Sequence, residues 1–180
     1  ARLSALFALD SFGGGFVVQS FLAYWLARKF DASPQLLGAV FFTTGLLQAL
    51  SFQAAVWLAG RIGLIRTMVF THLPSNLLLA AVPFAPSLGT AIAVLFARFA
   101  LSQMDVPTRQ AFVVGAVEPG ERVAAAAYTS TARAVASPVA PLVAGPLLQS
   151  TLAAPFLIAG GLKIIYDLAL YALFRDRDRT

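Results

Sequence analysis

Cysteine is absent from the 180 residues, which excludes a disulfide framework and any cysteine-ligated metal centre. His72 is the single histidine, so a multi-histidine metal site is excluded as well. Charge is scarce, at 12% of residues, where an average soluble domain carries about 25%. No glycine loop ending in Lys-Ser or Lys-Thr occurs, so the chain carries no nucleotide-driven motor of its own. Nothing has the form of a nucleophile elbow, G-x-S-x-G, which leaves intramembrane hydrolysis without support. No enzyme activity, metal or cofactor is expected. The net charge is +5, yet the bases are not gathered into the patch that a nucleic-acid surface needs.

Apolar residues fill the space that charge leaves: 59% of the chain is hydrophobic. That leaves too little polar surface to cover a soluble globule, so the apolar excess faces lipid. A hydrocarbon slab of about 30 Å needs about 20 helical residues at 1.5 Å rise each. Six segments meet or approach that length, at roughly 3–26, 35–59, 67–85, 88–104, 123–148 and 153–174. They are apolar nearly all round, as membrane helices are, and no short strands of alternating polarity suggest a barrel. The expectation is an all-α membrane protein with six transmembrane helices in one domain, 1–180. Short connections make successive helices antiparallel neighbours. The longest connection runs from Asp105 to Arg122, with Pro107 expected to end the fourth helix.

Basic residues set the orientation. With the N-terminus inside, the inside-facing segments hold Arg2, Arg61, Arg66, Arg109, Arg122, Arg175, Arg177 and Arg179; the outside-facing ones hold Arg28 and Lys29. Positive residues resist translocation, so both termini are expected on the cytoplasmic side, in a bacterial cytoplasmic membrane. Tyr24, Trp25 and Trp57 fall near span ends, where amphipathic rings settle. The chain opens at Ala1 with no Met and runs straight into an apolar stretch, so a continuation upstream is expected.

Five charges lie inside the spans: Asp10, Arg98, Arg133, Lys163 and Asp167. Each costs roughly 2.5–3.5 kcal/mol at a helix centre, so they must face each other, a wet cavity or a partner. Lys163 and Asp167, four residues apart, can neutralise each other on one helix face. Asp105 and Arg109 share that spacing and read as a cluster at the cytoplasmic end, structural or gating. Asp10 and Arg133 have no local partner, which leaves a cavity role or a buried pair between helices. Gly13, Gly14 and Gly15 in the first span allow close helix packing, ligand approach or a bend. Phe12, Phe16 and Gln19 can share a face, and a buried amide at Gln19 needs partners. His72 beside Pro74 reads as a packing residue.

Two stretches carry a resemblance. Between the second and third spans stands Leu58-Ala59-Gly60-Arg61-Ile62-Gly63-Leu64-Ile65-Arg66. It resembles the loop signature of the major facilitator superfamily, G-x-L-A-D-R-x-G-R-K. Leu58, Ala59, Arg61 and Gly63 match; Gly60 replaces the aspartate, and Leu64 and Ile65 replace bases. The second stretch runs from Arg98 through Met104-Asp105-Val106-Pro107-Thr108-Arg109 to Pro119-Gly120-Glu121-Arg122. With Arg133 and the Pro-Gly pattern from Ser137-Pro138 to Gly145-Pro146, it looks like the fourth helix, connection and fifth helix of a facilitator half.

The resemblance implies one half of a two-bundle transporter, six helices as an inverted three-plus-three repeat. The degenerate loop signature favours the C-terminal half, with the missing N-terminal six-helix half, or a second copy, as partner. The first and fourth helices would then line a central cavity, placing Asp10, Phe16, Gln19 and Arg98 near a small-molecule substrate. Arg133, with Arg98, hints at an anionic group on it. Arg61, Gly63 and Arg66 in the loop, with Asp105 and Arg109, are the expected gating residues. The implied activity is secondary transport by alternating access, with proton-coupled efflux through Asp10 as one form. A membrane scaffold or assembly module is the competing reading, which would need no polar residues at the midplane.

Overall fold

In a computed structural model, which describes residues 2–175 (for 148–150 the backbone alone), all regular structure is helical. The elements are α1 (Arg2–Gly15), α2 (Gln19–Phe30), α3 (Pro34–Ile62), α4 (Leu64–Ala81), α5 (Leu88–Ser102), α6 (Asp105–Gly115), α7 (Arg122–Ala136), α8 (Val139–Ser150) and α9 (Ala154–Phe174). Backbone groups in lipid have no water to bond, so long apolar stretches close their hydrogen bonds within a helix. Among the described residues, five stretches are long and apolar enough to cross a membrane: Arg2–Phe30, Pro34–Ile62, Leu64–Phe84, Leu88–Gly115 and Ala154–Phe174. The expected span 123–148 is helical but divided into α7 and α8 at Ser137–Pro138. Its first part carries Thr129, Ser130, Thr131 and Arg133, and among the described residues it is not one of the stretches long and apolar enough to cross.

The connections are punctuated by recognisable caps. Ser33 and Ser87 accept hydrogen bonds from the backbone N–H groups of Leu36 and Thr90, opening α3 and α5. Gly63 separates α3 from α4 at φ 94°, a left-handed conformation that favours glycine. Its N–H donates to the Ala59 carbonyl at 3.0 Å, and its own carbonyl accepts from Thr67 Oγ1 at 2.8 Å. The glycine of the loop signature therefore ends one helix and starts the next. At the other end of the bundle Lys29 Nζ donates to the carbonyls of Pro83 and Ala85, at 2.5 and 3.2 Å, and lies over the Trp25 ring.

One expected boundary is corrected. The connection read as Asp105–Arg122 is mostly helix: α6 continues to Gly115. Pro107 sits in the first turn of α6, where its missing N–H has no intrahelical partner to lose, so it does not end the span. Asp105 and Arg109 thereby move from a loop to the interior of the fourth stretch. Arg177 and Arg179, counted in the charge bias, lie outside the described residues.

The apolar core forms two clusters. One gathers Phe16, Phe21, Leu22, Trp25, Leu26, Leu79, Val82, Leu95 and Phe156, from α2 and the adjoining parts of α4, α5 and α9. The other gathers Phe7, Ile65, Met68, Val69, Phe112, Val113, Tyr166, Leu170 and Phe174. Along α4 the residues between them are Thr71, His72, Ser75 and Asn76, all buried. A polar layer thus crosses the bundle between two apolar ones.

The glycine run serves the layer. The backbone of α1 at Gly15 meets α8 and the α7–α8 junction: a Cβ on Gly15 would fall 2.8 Å from Ala140 Cβ and clash with the Ser137 carbonyl. Gly13 and Gly14 leave room for the Lys163 stem, which would lie 3.2 and 3.6 Å from Cβ atoms added there. Close packing, one of the three readings open for these glycines, is what this contact pattern shows. Gly15→Ala should lower stability by about 1–3 kcal/mol through overpacking. Thermal unfolding of the detergent-solubilised protein checks this, with the exposed Gly38→Ala as the control expected to change little.

Candidate functional site

Asp10 is the centre of the polar layer. It is 2% exposed, on the buried face of α1 with Phe7 and Gly13. Lys163 Nζ, reaching across from α9, donates to its Oδ1 at 2.5 Å. Arg133 Nη1, from α7, donates to its Oδ2 at 2.8 Å. Arg109 Nη1, from α6, stands 3.6 Å from the same Oδ2 and also donates to Asp105, one turn before it. Four helical segments therefore converge on one carboxylate.

A second carboxylate lies beside this hub. Asp167 of α9 is fully buried. His72 Nδ1 donates to its Oδ1 at 2.8 Å, and Asn76 Nδ2 donates to its Oδ2 at 2.8 Å. Facing an acceptor-only carboxylate, Nδ1 is the nitrogen that carries the proton. The other nitrogen, Nε2, stands 3.8 Å from Asp10 Oδ1, and the ring meets Tyr166 edge-on. His72 thus stands between the two acids.

The six residues share a depth. Asp10, His72 and Arg133 lie 8, 8 and 11 residues from the starts of α1, α4 and α7. Arg109, Asp167 and Lys163 lie 6, 7 and 11 residues before the ends of α6 and α9. Because successive stretches run antiparallel, these are all about 9–16 Å from helix ends on the Arg2 side. The charges form a layer between that face and the middle of the bundle. Arg98 is separate. It is buried on α5, stacked on Phe99, and has no carboxylate within 4 Å among the described residues.

Two readings of the charges change. Lys163 and Asp167 do not neutralise each other: Lys163 is drawn to Asp10, and Asp167 is held by His72 and Asn76. The i, i+4 spacing put them on one face, but both α1 and α4 pack on that face and each takes one charge. The Asp105–Arg109 pair is not an end cluster but an arm of the hub.

The other expected site residues scatter. Phe16 is 3% exposed and packs edge-on to Phe12 within the core. Gln19 is exposed at the start of α2, just past the break at Phe16–Val18. Arg61 is exposed and covers the Trp57 ring, and Arg66 is half-buried on α4. His72 and Asn76 escaped notice as site residues, although their i, i+4 spacing with buried Ser75 between them marks a polar helix face.

A cavity of about 350 Å³ adjoins the layer between α1, α6 and α7, with Arg109, Gln110, Thr129, Ser130 and Arg133 among its lining residues. An all-helical bundle with wide apolar faces and a buried ionic layer is an integral membrane protein of the polytopic class. The chain belongs to the Major Facilitator Superfamily, whose family model matches residues 4–180. An uncharacterized membrane protein of Saccharomyces cerevisiae is 28% identical over 179 residues, which is 98% of this chain and 40% of that protein. The chain thus spans about two fifths of the length of the curated relative it matches. No solved structure matches it.

Removing one partner of a buried ion pair typically costs about 3–5 kcal/mol. Asp10→Asn should therefore destabilise strongly, because Lys163 and Arg133 both lose their counter-charge and one of them meets an amide NH2 in place of an acceptor oxygen. Lys163→Met in the same chain should recover part of the loss, with a coupling of about 1 kcal/mol or more in a double-mutant cycle of chemical unfolding.

Proposed function

We propose that the chain is one six-helix half of a secondary transporter, moving a small molecule across a membrane by alternating access. Members of its family are built from two such halves, which rock about a shared site. The carrying observation is the ionic layer with a cavity beside it, inside an otherwise apolar bundle. Such charges are costly in lipid and mark substrate or ion pathways. The partner in this reading is the N-terminal six-helix half or a second copy, and the chain is the C-terminal half. Both termini face the cytoplasm, as the excess of arginine on that side favours.

Asp10 is the coupling group in this reading. Protonation would release Lys163 and Arg133 from a shared acceptor, which loosens α1 from α7 and α9. Gln19, exposed beyond the break in the first stretch, faces the transport path, as does Arg98. Arg61, Gly63 and Arg66, with the Asp105–Arg109 pair, control closure on the cytoplasmic side. Export driven by a proton gradient is the form favoured here. A scaffold role is favoured only by the pairing of Asp10 with Arg133, and the adjoining cavity counts against it.

The chain itself holds no cysteine, so an introduced thiol is unique in it. In proteoliposomes, Gln19→Cys should react with a membrane-impermeant maleimide, and an imposed pH gradient should change the rate. Adding Asp10→Asn should abolish that change. Labelling indifferent to the gradient, or unchanged by Asp10→Asn, would contradict the coupling role.

A further inference from the structure

We propose that the cavity between α1, α6 and α7 binds the acidic head group of an amphiphilic anion, a carboxylate or phosphate, whose apolar body occupies an adjoining cavity. The proposal deepens the transport reading and rests on it for access from water.

The make-up of the wall is the first ground. Arg98 stands apart on α5, so within the layer Asp10, Asp105 and Asp167 are matched by Arg109, Arg133 and Lys163. Of these six the cavity wall takes only the two arginines, and a low-dielectric wall that presents bases and no acid favours an anion.

Geometry is the second. Arg109 and Arg133 both approach Asp10 Oδ2 through Nη1, and both line the cavity. A guanidinium carries five N–H donors in a planar fork. In their hydrogen bonds to Asp105 and Asp10, Arg109 and Arg133 each use Nη1, and Arg109 also interacts with the Tyr166 side chain. The remaining donors of two converging forks fit the planar bidentate recognition of a carboxylate or phosphate. Gln110 and Ser130 add an amide and a hydroxyl to the wall, and no carboxylate side chain lines it. Ser130 is exposed, a polar contact that lipid alone would not reward.

The third ground is the neighbouring space. A second cavity of about 630 Å³ shares Val113 and Thr129 with the first. Its wall is mostly apolar, with Leu3, Val117, Ala125 and Tyr128. Val113 and Thr129 stand between the two spaces, and in the proposed binding mode the hydrocarbon body lies over them with the head at the arginines. A free organic anion and the head group of an anionic lipid share this chemistry.

The test uses Ser130→Cys in an otherwise cysteine-free protein, reconstituted in phosphatidylcholine vesicles and labelled with an impermeant maleimide. Octanoate should slow labelling and octanol at the same concentration should not. In vesicles containing phosphatidylglycerol, protection without octanoate would assign the site to a lipid head group; unchanged labelling there would assign it to a free anion. Adding Arg133→Gln should raise the half-protecting octanoate concentration by about tenfold or more, the loss expected for charge-assisted hydrogen bonds. Equal protection by octanol, no protection in either vesicle type, or a thiol that never reacts would each overturn the proposal. The octanoate and octanol arms need no arginine variant, so a misfolded Arg133→Gln would not decide the outcome. Gradient-dependent labelling of Gln19→Cys in parallel vesicles separates the two failures: if it persists, the anion site falls and the transport reading stands.

Discussion

A carboxylate in lipid is tolerable only if cations reach it, and Asp10 is reached by three. Lys163 and Arg133 hydrogen-bond its two oxygens, and Arg109 stands 3.6 Å from the second. Because these partners sit on α9, α7 and α6, the carboxylate fixes where three helices stand relative to α1. The glycines follow from this constraint. Lys163 reaches Asp10 by lying along α1, where a Cβ at Gly13 would crowd its stem and one at Gly14 would just touch it. Gly15 then lets α1 meet the α7–α8 junction, which brings Arg133 within reach.

The layer also organises the apolar parts. Two hydrophobic clusters lie on either side of it, one around Trp25 and Phe156, the other around Phe7 and Tyr166. Three stretches are broken, at Phe16–Val18, Gln103–Met104 and Ser137–Pro138, while α3 and α9 run uninterrupted. A bundle with ionic ties at one level and broken helices beside it has places to bend without losing either cluster. That is the mechanical property the proposed alternating access requires.

Much of the fold was legible in composition and length alone. The apolar stretches followed from the need to cross a slab of about 30 Å, and all six are helical, five of them long and apolar enough to span among the described residues. The family followed from Leu58, Ala59, Arg61 and Gly63, and the φ of 94° at Gly63 gives the physical reason for that glycine. The site was legible only in part. Asp10 and Arg133 stood out because neither has a local partner, and the structure pairs them. The pairing of Lys163 was not legible, since its i, i+4 neighbour Asp167 offered a nearer acceptor than a residue 153 positions away. Pro107 misled for a related reason: a proline stops a helix from its interior and not from its first turn, and the start of α6 left no cap to see.

The central claim is that Asp10 binds α1, α7 and α9 into one cooperative unit near the layer, while α2, which holds no partner of Asp10, depends on the cluster around Trp25. Hydrogen–deuterium exchange of the reconstituted protein, with and without Asp10→Asn, measures this directly, because exchange reports local opening segment by segment. The account predicts that amides of α1, α7 and α9 near the layer lose protection together while those of α2 remain protected. Loss of protection confined to α1, or spread evenly through α2 as well, would contradict it.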